Sequence, residues 1–123
     1  MDARTVLDRY YEYANAADWD RWCDLFAPDM VMDEQLAGHI EGREKLRQMM
    51  GGMGQMYAAF HNEPLHVLID GAQGAVVSRI TATSAAGRPV RAQVMNYFTI
   101  LHGQITYMAN FHDTVPFQVL SQD

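Results

Sequence analysis

Two side chains in this sequence stand where a polar group is costly, and both could do chemistry. In PVRAQVMNYFTIL (89–101), strand alternation places Val90, Ala92, Val94, Phe98 and Ile100 on one face. Asn96 is the single polar member of that face, so its amide points into an apolar interior and needs a partner there. In MVMDEQLAG (30–38), the same alternation puts Glu34 in line with Met30, Met32 and Leu36, and Asp33 on the opposite face. A carboxyl in apolar surroundings holds its proton to higher pH, toward the range in which a general acid or base works. Two arrangements are open for each residue. Asn96 either bonds to a neighbouring group or donates to a ligand oxygen. Glu34 either stays on the strand and reaches the interior, or the strand ends at Met32 and Glu34 lies in a solvated turn before Gly38.

Other titratable groups carry weaker patterns. His112 and Asp113 are adjacent, so on a regular strand they point apart and form no dyad. His61 shares parity with Leu65, Val67 and Ile69, and reads as a structural histidine; His66 and His102 read as surface and turn residues. Tyr10, Tyr11 and Tyr13 crowd one helix as core aromatics, and a buried phenol seeks a polar partner. There is no nucleophile elbow, phosphate loop or metal-binding spacing, and neither a metal nor another cofactor is expected.

The elements that position these groups follow from periodicity. DARTVLDRYYEYANAADWDRWCDLFAPD reads as two helices: Val6, Tyr10, Tyr13 and Ala17, widened by Leu7, Tyr11 and Ala14, form the stripe of the first. Asp18 caps a second that carries Trp19, Trp22, Leu25 and Phe26 and ends before Pro28. REKLRQMM is a third helix, loosened where it runs into GGMGQM, since each glycine costs about 1 kcal/mol against alanine. Beyond residue 61 the period becomes two, giving strands over 65–70, 75–84, 89–101 and 105–113 joined by short turns in an antiparallel meander. In the last strand Ile105, Tyr107, Ala109 and Phe111 form the more apolar face, against Thr106, Met108, Asn110 and His112. Helices followed by such a sheet make an α+β domain in which a bent sheet wraps its helices and leaves a concave pocket.

Length and composition set the outer limits. The 123 residues fit one domain, 1–123, and 49% hydrophobic residues can supply its core. A net charge of −6 and a pI near 5.2 disfavour nucleic acid and anionic membrane surfaces. No apolar run approaches the roughly 20 residues of a spanning helix, and the charged N-terminus is unlike a signal peptide. The single Cys23 leaves no internal disulfide. A cytoplasmic, soluble protein is the expectation.

Taken together, RYYEYANAADWDRWCDLFAPDMVMDEQLAG…GREKL and the closing strands VMNYFTILHGQITYMANFHD resemble the nuclear transport factor 2-like superfamily over nearly the whole chain. Within it the likeness is to ketosteroid isomerases and SnoaL-type polyketide cyclases. RYYEYANAAD is similar to the isomerase segment that ends in NAGD, which implies Tyr10 as an oxyanion-hole tyrosine. APDMVMDEQ resembles ADDATVEDP and implies Glu34 as the base, where an aspartate is usual; VMNYF resembles VIDVM and implies Asn96 as a second oxyanion donor, where a protonated aspartate is usual. MANFH resembles a pocket-lining end strand, which turns Met108, Asn110 and His112 inward, against the apolar-face reading, and leaves the outer sheet face for a homodimer.

The resemblance implies a cone-like curved sheet over three N-terminal helices, enclosing a mostly apolar pocket walled by Met32, Met49, Met50, Met53, Phe98 and Met108. Methionines there adapt to varied ligands. It implies a small, largely apolar carbonyl substrate of polyketide, steroid or terpenoid type. Glu34 would remove a proton beside the carbonyl, Tyr10 and Asn96 would hold the enolate, and His112 would return or relay a proton, with isomerisation, aldol-type cyclisation or dehydration as outcomes. Two alternatives remain. One is epoxide opening by an activated water, which wants an inward arginine between two carboxylates, whereas Arg79 and Arg91 have surface parity. The other is a ligand-binding or dimerisation module without turnover.

Overall fold

A computed structural model of the chain describes residues 1–121. Helix α1 spans Ala3–Asn15, with the Asp2 carboxylate accepting from the Thr5 backbone N–H at its start. Val6, Leu7, Tyr10, Tyr11 and Ala14 are its buried stripe. The helix ends two residues before Ala17, which turns the chain in the left-handed region (φ 55°) and so lies outside the stripe expected of it. Asp18 caps α2 (Trp19–Asp24) by accepting from the Arg21 N–H. Strand β1 (Phe26–Glu34) turns into β2 (Gly38–Glu41), and α3 (Arg43–Met50) follows. After Gly51 and Gly52 comes a single helical turn, α4 (Met53–Met56), where only a loosened helix end was expected.

The sheet has six strands in the order β2-β1-β6-β5-β4-β3, where β3 is Tyr57–Asp70, β4 Gln73–Ser84, β5 Pro89–Leu101 and β6 Gln104–Phe111. The last four strands form the expected antiparallel meander, but β1 joins it through a parallel pairing with β6. The first meander strand begins at Tyr57 rather than at residue 65, and the last ends at Phe111 rather than 113. The β5–β6 hairpin turns on His102 (φ 52°) and Gly103 (φ 75°), the two left-handed residues that suit the twist of a tight hairpin.

Bulges decide which residues face the helices. Pairing slips by one between Thr99–Tyr107 and Ile100–Ile105, which leaves Thr106 as an extra residue in β6. Ile105 is therefore buried on the same side as Met108, three positions on, and the uniform parity expected for this strand fails. Beyond the bulge Met108 is buried and Phe111 exposed, so this half follows the resemblance and not the apolar face. In β3 a second slip between Pro64–Ser78 and His66–Val77 leaves Leu65 extra. Before it, Phe60 and Asn62 face inward and His61 is exposed; after it, Val67 packs on the core. A 3-10 helix, Val115–Ser121, closes the described chain and seats Phe117 on Ile80, Ala82, Val90 and Val94. No helix among the described residues is long and apolar enough to cross a membrane.

Candidate active site

A cavity of about 240 Å3 opens between the helices and the concave face of the sheet. Its wall takes Tyr10 from α1, Trp22 from α2, Met49 and Met50 from α3, Met53 from α4, and side chains from all six strands. The volume lies just below the roughly 300–1,000 Å3 of drug-sized pockets, so its occupant is compact.

Three polar side chains lie side by side on its floor. Asn110 of β6 faces Asn96 of β5 directly across their ladder, and Glu34 stands one step past the Asp33–Ala109 pair of β1 and β6. Adjacent strands are about 4.8 Å apart, so a row of carboxylate, amide and amide crosses three strands. The Asn110 amide is oriented by its partners: Oδ1 accepts from the Gln35 N–H at 2.9 Å, which leaves Nδ2 to donate to Glu34 Oε1 at 3.2 Å. Glu34 ends β1, and its other oxygen accepts from the Leu36 and Ala37 N–H groups of the following turn. The strand thus continues through Glu34, but Leu36 falls in the turn and leaves the Met30–Met32–Glu34 face. Three donors hold the carboxylate, whose side chain is 21% exposed.

His112 stands next to it. Its side chain is 2% exposed, and Nε2 lies 4.0 Å from Glu34 Oε1. Nδ1 is 2.7 Å from the Asp113 carbonyl, which can only accept, so Nδ1 carries hydrogen and Nε2 is the ring nitrogen turned toward Glu34. The Phe117 ring packs on this imidazole at 4.8 Å.

Tyr10 borders the same cavity. Burial first, then the neighbouring Tyr11 and the Glu34 charge, push its phenol well above the usual range, so it stays a proton donor. Its hydroxyl makes no hydrogen bond among the described residues. Asn96 bonds to its neighbours: Nδ2 lies 3.0 Å from the Tyr11 hydroxyl and 3.2 Å from Ser78 Oγ. Both hydroxyls can also donate, so the reversed amide makes the same two contacts through Oδ1 and turns its N–H groups to the cavity. Asp33 lies on the opposite face, accepting from the Tyr107 hydroxyl and paired with His39. Tyr107 first, then His39, hold its carboxyl below the usual range.

Glu34, Tyr10, Asn96, His112, Met32, Met49, Met50, Met53, Met108 and Asn110 all line the cavity, and Phe98 does not. Phe98 is wholly buried behind Tyr10, its ring centroid 5.1 Å away edge-to-face, so the place expected for it on the wall is corrected to the core. Sequence reasoning missed Trp19, Trp22, Tyr57, Phe60, Asn62 and Phe117 on the wall and Tyr11 as the partner of Asn96. Period two begun at Tyr57 would have missed Phe60 and Asn62, because the slip between Tyr57 and Ala59 changes the parity there, and nothing in the pattern announces Phe117. Glu34 is the sole carboxylate and no arginine is present among the described residues of the wall. No group of three or more His, Cys, Asp or Glu side chains among the described residues is placed to hold a metal ion.

Comparison with known proteins follows the same lines. No curated protein matches the sequence. An NTF2-like protein of unknown function from Burkholderia pseudomallei superposes with a TM-score of 0.86 at 16% identity, covering 95% of both chains. A candidate polyketide cyclase from Pseudomonas putida gives 0.87 at 19% identity, over 95% of this chain and 96% of the other. A protein with a ketosteroid isomerase-like fold from Catenulispora acidiphila, solved with trimethylamine, gives 0.84 at 13% identity, over 95% and 92%. These likenesses share the six-stranded NTF2-like fold described above. The model of the SnoaL-like domain matches residues 7–108, most of the sequence, and the chain belongs to that family.

Proposed function

We propose that the chain is a small-molecule enzyme that uses general acid/base chemistry on a compact apolar carbonyl compound. The observation that carries this reading is the Glu34–His112 pair, 4.0 Å apart, in a mostly apolar cavity in which they are joined by the Tyr10 hydroxyl and the Asn96 and Asn110 amides. Glu34 Oε1 takes the proton from the carbon beside the carbonyl; the C–H electron pair becomes the enolate double bond, and the carbonyl π pair moves to oxygen. The Tyr10 hydroxyl donates to that oxygen, and Asn96, with its amide reversed, is the second donor. His112 Nε2 then accepts the proton from Glu34 and returns it to another carbon, which gives isomerisation, or to a leaving hydroxide, which gives dehydration. A candidate isomerase and two candidate polyketide cyclases among the structural neighbours agree with this class of chemistry. Epoxide opening by the Arg-centred arrangement finds no arginine among the described residues of the wall.

The test is deuterium exchange at the α-methyl of 2-acetylnaphthalene, followed by NMR, with other apolar ketones as a panel. Wild type is expected to exchange it well above buffer, and Tyr10→Phe to slow that exchange about 10²-fold or more. A panel that exchanges no faster with protein than in buffer ends the proposal.

We infer a homodimer formed through the outer sheet face. Met95 and Phe111 stand directly opposite one another there, 40% and 57% exposed, beside the Tyr97–Tyr107 pair. Wild type is expected to elute as a dimer with light scattering and Phe111→Glu as a monomer, because a charge at the centre of an apolar interface is costly. A monomeric wild type, or a dimeric Phe111→Glu, excludes this interface.

A further inference from the structure

Two buried hydroxyls beside Tyr10 and Asn96 have no task in the proposed reaction. Tyr11 follows Tyr10 on α1, and Ser78 lies on β4; both are buried. Successive residues of a helix point about 100° apart, so Tyr10 borders the cavity while Tyr11 is directed elsewhere. Neither Tyr11 nor Ser78 lines the cavity, and both meet the side-chain amide of Asn96. Ser78 stands diagonally from Asn96 across the β4–β5 ladder, two places past Val76, which faces Asn96 directly.

One atom of that amide is held inside and the other meets the cavity. The inner atom lies 3.0 Å from the Tyr11 hydroxyl and 3.2 Å from Ser78 Oγ. The outer atom has no hydrogen-bond partner among the described residues. Side-chain polar atoms that are both unpartnered and fully enclosed there belong to Trp22, Arg43 and Asn62. The outer atom of Asn96 is therefore not enclosed, and the open space that Asn96 borders is the cavity.

The hydroxyl protons decide which atom is which. An asparagine amide fits one outline in two orientations, with either Nδ2 or Oδ1 as the inner atom. With Nδ2 inside, it donates to both hydroxyl oxygens. Neither hydroxyl meets another acceptor among the described residues, so the two protons have only each other's oxygen to turn to. One proton is then stranded in the core at its full desolvation cost. With Oδ1 inside, its two lone pairs accept both hydroxyls and nothing is stranded. Burial pushes the Tyr11 phenol up further than Ser78 and Asn96 draw it down, so it keeps the proton it donates.

We propose that Tyr11 and Ser78 are positioning residues. Their hydroxyls donate together to Asn96 Oδ1 and so turn Nδ2 to the cavity, as a fixed donor for a ligand's carbonyl or enolate oxygen. This inference rests on the reading of the cavity as a ketone site and adds how its second donor is held.

Neutron diffraction from deuterated, ligand-free crystals tests the orientation without any turnover. Deuterium is expected on the outer atom of the Asn96 amide, with both O–D bonds aimed at the inner one. Deuterium on the inner atom overturns the inference. Exchange into 2-acetylnaphthalene tests the consequence. The double variant Tyr11→Phe, Ser78→Ala is expected to lower kcat about tenfold with KM within about twofold, because only the hold on Asn96 is lost. Asn96→Leu is expected to lower kcat about 10²-fold. Adding the double variant to Asn96→Leu should cost less than about twofold more, since the hydroxyls act through Asn96 alone. That triple variant replaces a polar cluster by apolar groups of similar shape and so should fold. An equal loss from the double variant in both backgrounds makes the hydroxyls merely structural and overturns the inference. Should the double variant fail to fold, the neutron map and Tyr11→Phe alone, run with and without Asn96→Leu, still decide. Deuterium on the outer atom with no exchange in wild type removes the proposed reaction and leaves the positioned donor.

Discussion

Glu34→Gln is expected to lower kcat/KM for α-proton exchange by about 10²–10⁴-fold, the usual contribution of a placed general base. Affinity for an apolar ketone should change little, because Gln keeps the shape of the side chain. The size of the effect follows from the wall: among the described residues Glu34 supplies its only carboxylate, and His112 reaches the cavity beside it. The substitution also has a structural consequence. Two backbone N–H groups and the Asn110 amide all donate to this side chain, so either orientation of a Gln amide sets one N–H against another. The melting temperature should therefore fall modestly, and exchange must be compared on folded protein. Glu34→Gln combined with His112→Gln should cost scarcely more than Glu34→Gln alone, since two groups on one proton path are not additive. Exchange within a few-fold of wild type in folded Glu34→Gln would remove the base from the scheme.

How far these residues could be read in advance depended on the regularity of their strands. In β5 the ladder to β4 is unbroken from Pro89 to Thr99, so alternation alone put Asn96 inside and Met95 outside, as found. Glu34 needed one more fact, namely where β1 stops, and that was set by its own carboxylate, which closes the turn at Leu36 and Ala37. One extra residue in β6, and two in β3, reverse the parity along the strand. Thr106 hides the shared direction of Ile105 and Met108, and Leu65 sends Asn62 inward and His61 out. A bulge has no local composition strong enough to be seen in one sequence, because the partner strand decides it. The parallel β1–β6 pairing is likewise a property of two distant segments. Met49, Met50 and Met53 reached the wall as the resemblance implied, while the turn that carries Met53 was expected only as a loosened end.

Phe98→Ala is expected to destabilise the protein by about 3–5 kcal/mol, a large share of the roughly 5–15 kcal/mol that a domain of this size has. That corresponds to a drop of about 10–20 °C in Tm by thermal melt. Phe98 is fully buried and braces Tyr10, whose ring also meets Tyr11 at 4.8 Å and Trp22 at 5.3 Å, so its loss opens a hole at the junction of α1, α2 and β5. The same variant separates two roles. Were Phe98 a ligand-contacting wall residue, truncation would weaken ketone binding and leave Tm nearly unchanged. As a core residue it should lower Tm steeply and affect exchange through a displaced Tyr10 hydroxyl. Tyr10→Phe supplies the contrast, because it keeps the ring that Phe98 packs on and removes only a hydroxyl without a partner among the described residues. Its Tm should stay within a few degrees of wild type while its exchange falls. A Phe98→Ala protein that melts as high as Tyr10→Phe would place Phe98 back on the wall and free Tyr10 of its brace.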